Sequence, residues 1–454
     1  MHVFILVIIC CVTLSEYLVK TFDLPPFLHF LPEMLSCVLI VYVFVVGTRD
    51  RFRLVAPKYW LAFAALAVVI LCGIIKSGSG SGSVITGMRF YFRALPMFFL
   101  AAVLPPTDDK LRIQLKLLLA LALLQLPVAG YQRWIIYSAD RYSGDDVRGT
   151  LMDSGILSIF LICAVLILVG LLVKQRISKT WFTILFFLLL LPTTINETKV
   201  TVIFLPLGLL VSLIVGAKRG KRLRYAVMTL IALVAFGAIF VPVYDMLEEH
   251  NHYRVKIMDF FTSTQEIDKY LVAHGRHTGG GIGGTKLAGR GDSIMIPTAY
   301  LARDPVDLAF GLGLGNASPS NLGINFEGSY YRLFRSLLTT SFAFFLIELG
   351  VCGLILIGFL YWLMFSDCVA VARADEGLTG ALAVGWTGVI AIFILATVYN
   401  VSYQFPSMSY LYWYFTGAIC ARRVALKLDH ARRTSAASRA YRATDTVDER
   451  TLST

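Results

Sequence analysis

The chain has 454 residues, is 57% hydrophobic and 15% charged, and carries a formal net charge of +12, with a mean hydropathy of +0.72. Soluble globular proteins are about 45–50% apolar and about 25% charged, so this composition excludes a soluble domain and points to a membrane protein. The basic residues cluster between apolar runs, which makes the charge a topology signal and excludes nucleic acid, the partner it would suggest in a soluble protein.

A bilayer core needs roughly 20 helical residues, and backbone groups in lipid must be satisfied within the helix. Alternating segments of about ten residues, the mark of an outer-membrane barrel, are absent. The apolar runs predict an all-α, polytopic fold with spans near 2–19, 30–48, 58–76, 84–104, 112–130, 154–173, 181–195, 200–217, 225–243, 336–364, 379–399 and 408–425. The first, within MHVFILVIICCVTLSEYLVK, lacks a basic n-region and an A-x-A-like cleavage site, so it reads as an uncleaved span. Eight cysteines lie in or beside apolar runs without CxxC or Cys/His spacing and read as small packing residues.

Lys and Arg in short connections set the orientation. RDRFR (49–53), KQRISK (174–179), KRGKRLR (218–224) and the tail after Arg422 all fall on one side when the spans number twelve. That side is the cytoplasm, and both termini lie there. The expected organisation is one transmembrane domain, 1–429, with a large periplasmic loop at 244–335, followed by a disordered cytoplasmic tail at 430–454. Two other notable connections on the outer face are SGSGSGS (77–83) and YQRWIIYSADRYSGDDVRGTLMD (131–153).

Cations on the outer face run against the positive-inside bias and need a reason. They include Arg133, Arg141 and Arg148 in the first polar loop, Lys199 between the seventh and eighth spans, and Arg276, Arg290, Arg303, Arg332 and Arg335 in the long loop. Arg89 and Arg93 lie within the fourth span, four apart and so on one helix face. Two readings stand for these two: snorkelling to the outer interface, or facing a water-filled cavity that holds an anion. For the loop arginines the alternatives are headgroup contacts, pairing with local acids, or a shared polyanionic ligand. A lipid-linked diphosphate fits the last, because Arg offers bidentate donors and Lys a point charge.

Other chemistry is thin. His250, His252, His274 and His277 show no Cys/His metal spacing, so no metal is expected. GLGLG (311–315) follows no strand that opens a βαβ unit, which excludes a nucleotide loop.

Four patches resemble the superfamily of O-antigen polymerases (Wzy-type) and O-antigen ligases. They are RFYFRALPMFFL (89–100), TTINETKVTVIFLPLGLL (193–210), GRGDSIMIPTAYLARDPVDLAFGLGLGN (289–316) and FFLIELGVCGLIL (344–356). The resemblance implies a cofactor-free, metal-independent GT-C-like glycosyltransferase of the bacterial inner membrane. Its donor and acceptor would be glycans on undecaprenyl diphosphate, met at the periplasmic face. By position Lys199 takes the first cationic site, where the family usually has Arg, and Arg290 the second. Glu327 and Asp292 are candidate bases, Asp292 also the expected cap of a short helix that begins beside it, while Tyr330 and Tyr331 are candidate sugar-stacking residues. Ligases carry a His shortly before the Glu-Leu-Gly; here RSLLTTSFAFF (335–345) has Thr339 and Thr340, which favours a polymerase. A chain-length regulator and a flippase are the implied partners. The alternatives are a ligase acting on lipid A core and, in a different class, a polysaccharide or lipid transporter; no internal repeat supports the latter.

The orientation makes a direct prediction. Reporter fusions at Ser143 and Gly284 should report the periplasm, and fusions at Gly220 and Ser435 the cytoplasm; a cytoplasmic signal at Gly284 inverts the topology.

Overall fold

The computed structural model describes residues 2–50, 52–137, 146–151, 153–217, 220, 222–248, 262–265, 289–320 and 323–451. Among these residues the chain is all helical. In chain order the helices are α1 (His2–Phe22), α2 (Leu31–Arg49), α3 (Pro57–Ser77), α4 (Ser81–Phe92), α5 (Pro96–Val103), α6 (Asp108–Tyr131), α7 (Ser154–Val173), α8 (Lys179–Ile195), α9 (Val200–Gly216) and α10 (Arg222–Glu248). After the long polar segment come α11 (Asp292–Leu301), α12 (Pro305–Phe310), α13 (Tyr331–Phe334), α14 (Ser341–Ala374), α15 (Leu378–Tyr399) and α16 (Pro406–Thr451).

Each expected span overlaps a helix, though residues 336–340 precede α14 and 93–95 lie between α4 and α5. Among the described residues seven helices are long and apolar enough to cross a membrane, or eight if the bent pair α4 and α5 counts as one span. The rest differ for local reasons. Pro96 opens α5, and the clash it makes with preceding backbone breaks the expected span 84–104 with a 46° bend. α8 and α9 have 17 residues each and stop at the turn 196–199. α16 does not end near 425 or leave a structureless tail after 430: it continues to Thr451. The stretch ARRTSAASRAYRA (431–443) is rich in Ala and Arg and has no Gly or Pro, so nothing in it terminates a helix.

α7 is apolar on all sides and is the most enclosed candidate span, with 83% of its apolar window buried, followed by α15 at 72%. They pack on each other and on α9 through small residues. A Cβ on Gly170 would strike the carbonyl of Ala381, one on Gly385 the carbonyl of Leu166, and one on Gly388 the carbonyl of Gly208. Without a hydrophobic drive between helices in lipid, such close backbone approach is the main source of cohesion. Side-chain caps fix the starts: Asp153 accepts from the Ile156 amide at 2.8 Å, and Thr340 from the Ala343 amide at 3.2 Å.

The glycine-rich segment is a packing element. Its Asn316 donates to Ser79 Oγ at 2.8 Å and to the Leu312 carbonyl at 2.7 Å. Leu312 donates its amide to the Ile347 carbonyl at 2.7 Å. Gly350 interrupts α14 with φ of 65°, and a Cβ there would meet the carbonyl of Ala309 and the amide of Gly311. Gly315, with φ of 82°, lies against the Ser83 carbonyl and the Gly87 amide of α4. Glu348 joins this seam from within α14. Its Oε1 accepts from the Ala317 amide at 2.9 Å and from Ser318 Oγ at 2.8 Å.

Gly315→Val should therefore combine a left-handed penalty with overpacking that by itself costs on the order of 1–3 kcal/mol. Thermal unfolding of the purified protein should shift down by several degrees, or folded protein should be lost. Gly323→Ala is the control, since Gly323 has φ of 116° but open space around it; equal melting of Gly315→Val and wild type contradicts the seam.

Candidate anion-binding site

The turn between α8 and α9 reads NETK, four polar residues inside an apolar hairpin, and Asn196, Glu197 and Thr198 are all buried. Buried polar groups must be paired. Asn196 Nδ2 donates to the Ser154 carbonyl and to Ser158 Oγ, both at 3.0 Å, and Oδ1 accepts from the Thr198 amide at 3.2 Å. Glu197 takes a left-handed backbone, φ 55°, and its Oε1 lies 2.6 Å from Arg133 Nη2. Arg133 sits in the π-turn Gln132–Ile136 that follows α6. The neighbouring Gln132 is also committed. It accepts from the amides of Arg148 (3.0 Å) and Gly149 (2.8 Å) and donates to the Gly149 carbonyl (2.9 Å), tying the first polar loop to the same end of the bundle.

Lys199 follows that turn as the residue before α9, with Nζ 5.9 Å from the Tyr244 ring of α10. Further along α9 the Phe204 ring meets Tyr399 edge-on at 5.6 Å. Tyr399 is the last residue of α15. Arg290 lies over the same ring at 5.6 Å and its Nε donates to the Tyr399 carbonyl at 3.4 Å. The Asn400 carbonyl in turn accepts from Ser341 N (2.9 Å) and Oγ (3.0 Å), fixing the end of α15 to the start of α14. Five segments distant in sequence thus converge, and they carry Arg133, Lys199 and Arg290 among the expected cations.

α11 begins at Asp292, and Ser293 Oγ donates to the Arg290 carbonyl at 2.7 Å. The expected capping by Asp292 is corrected: Gly291 occupies the cap position with helical φ and ψ and no side-chain cap is made. Asp292 is already inside the first turn, where its charge complements the helix dipole.

The remaining expected site residues are elsewhere or differently engaged. Arg89 and Arg93 do share a face, but both pair with Glu33, at 2.6 and 2.8 Å, and Arg93 also donates to the Gln404 carbonyl. Internal neutralisation replaces both the snorkelling and the open-cavity readings. Its signal was present in the sequence as the lone acid at the start of the second span. Arg148 lies 3.5 Å from Asp146, and Arg332 lies 3.5 Å from Glu327 at the surface. Tyr330 belongs to a small core with Phe334, Leu301 and Leu312; Tyr331 is half-buried and Arg335 exposed. Arg303 covers the Tyr300 ring at 5.4 Å. In the same segment the Lys76 ammonium and the Val306 amide hold the Asp304 carboxyl below the usual carboxylate range. Arg141, Arg276 and the four loop histidines lie outside the described residues. Among the described residues no three His, Cys, Asp or Glu side chains are grouped to hold a metal.

Sequence reasoning missed Glu33, Asn196, Glu197, Glu348 and Tyr399. Glu197 and Glu348 were legible in part, as acids inside apolar runs. An apolar cavity between α3, α4, α14 and α16, lined by Tyr91, Phe345, Tyr361, Tyr403 and Trp413, holds no charged group and is separate from this site. No family model matches the chain, and no curated protein matches it.

Proposed function

We propose that the protein is an integral-membrane glycosyltransferase that polymerises lipid-linked oligosaccharide repeat units of O-antigen, capsule or exopolysaccharide type. The single observation that carries the reading is that Lys199 stands at the start of α9 and Arg290 over Tyr399 at the end of α15, two helix ends joined by the Phe204–Tyr399 ring contact. Two cations at the border of an apolar bundle suit a ligand with an anionic head and a lipid tail.

In this reading twelve helices cross the inner membrane, both termini are cytoplasmic, and the site faces the periplasm. An acceptor hydroxyl attacks the anomeric carbon of the donor glycan. The bond from that carbon to the diphosphate oxygen breaks, and its electron pair leaves with the diphosphate. Charge gathers on the leaving group in the transition state, so Lys199 and Arg290 bind that state more strongly than the ground state. The hydroxyl proton passes to a carboxylate. Asp292, two residues from Arg290, and Glu327, 3.5 Å from Arg332, are the candidates for this role. No cofactor is required. Membrane lipids surround the bundle, and a flippase and a chain-length regulator are the partners such a reaction implies.

The test uses a deletion strain and plasmid-borne variants, with lipid-linked intermediates as the readout. Loss of the gene should accumulate single repeats; accumulation of finished polymer would indicate a ligase instead. Removing one preorganised donor costs roughly 100- to 1000-fold in rate. Arg290→Ala should nearly abolish polymer, Arg290→Lys should retain part of it because the bidentate fork is gone, and Arg303→Ala should be much milder. Polymer of normal amount and length from Arg290→Ala contradicts the site.

A further inference from the structure

We infer that the buried Glu197–Arg133 pair is a positioning device that sets the Lys199 ammonium for the leaving group, an inference that rests on the proposed function. Glu197 holds a left-handed backbone at φ 55°, a conformation that β-carbon sterics disfavour in every residue except glycine and, less so, Asn and Asp. A tight turn at this place would be satisfied by glycine. The chain instead keeps a carboxylate there, in a span environment where an acid is costly. Its side chain is 4% exposed and that of Arg133 11%, at a separation of 2.6 Å.

Neither group is open enough to touch a substrate, so the pair acts through what it holds. Lys199 is two residues after Glu197. On the other side Asn196 locks the turn to α7 through Ser154 and Ser158. The four-residue turn is therefore fixed at Asn196 to α7 and at Glu197 to the end of α6, and Lys199 leaves it in one direction, toward Tyr244. Strain of this kind persists only where the surroundings over-determine it, and such residues gather at functional sites. Arg133, one of the cations expected to meet the ligand, is thereby reassigned: its charge is committed to Glu197.

The experiment is a double-mutant cycle on the purified full chain, reading kcat and KM for polymerisation of lipid-linked repeats. A misplacement of about 1 Å can cost on the order of 100-fold in rate. Glu197→Gln should lower kcat by roughly tenfold to 100-fold, and should cost little more once Lys199→Ala is present, because both act through one ammonium. If Glu197→Gln does not yield folded protein by size exclusion, Arg133→Lys is read in its place; it keeps the charge, loses the fork and should show a partial loss with the same non-additivity. Full, additive losses in the Lys199→Ala background overturn the positioning role and leave the site standing. Wild-type kcat in Glu197→Gln, or in Arg133→Lys where that variant is read, also overturns it. Wild-type activity of Lys199→Ala is a separate result: it overturns the site and this proposal together.

Discussion

A charge taken into an apolar bundle has to be answered from within the protein, because lipid offers it nothing. Much of this molecule follows from that requirement. Glu33 answers Arg89 and Arg93 between α2 and α4, and Glu197 answers Arg133 between α6 and the α8–α9 turn. At the opposite end of α15, Asp367 takes Lys58 at 2.7 Å and the Tyr59 hydroxyl at 2.8 Å, and Asp375 takes Arg422 at 2.7 Å. Each pair joins helices far apart in sequence. For the Glu33 and Glu197 pairs, breaking the pair from one side strands a buried charge at a cost of about 3–5 kcal/mol, while the half-exposed Lys58 and Arg422 links are worth less; together they specify which helices are neighbours.

The Tyr399 end of α15 adds aromatic contacts to this pattern. There Arg290 and Lys199 are met by aromatic faces, Tyr399 and Tyr244. Cation–π contact is worth about 0.5–1 kcal/mol at exposed sites, which helps to orient a cation. The glycine seam serves the same end indirectly. By docking the Leu312–Ser318 stretch into the break at Gly350 and onto α4, it holds the polar segment that starts at Arg290 against the top of the bundle. Glu348 acts as the internal acceptor for that stretch.

The sequence made the helices legible because apolar runs of span length have few alternatives. It made Arg89 and Arg93 legible as one face, since a four-residue spacing is local. Their partner Glu33 was not, because pairing across 56 residues or more depends on how helices pack. The same holds for Tyr399, an unremarkable residue in sequence that becomes a junction only when α15 ends beside α9. Asp292 failed as a cap because helix boundaries shift by one or two residues, and a cap assignment depends on the exact position. The tail was misread by composition: polarity suggested disorder, while helix propensity without a breaker extends α16.

The central claim is that Lys199 and Arg290 hold one diphosphate. The most direct measurement titrates the purified protein in nanodiscs with undecaprenyl diphosphate. A hydrogen bond to a charged group contributes about 1.5–3 kcal/mol, so Lys199→Ala and Arg290→Ala should each weaken binding by roughly tenfold or more, while Arg303→Ala binds as the wild type does. Unchanged affinity in both Lys199→Ala and Arg290→Ala would contradict the account.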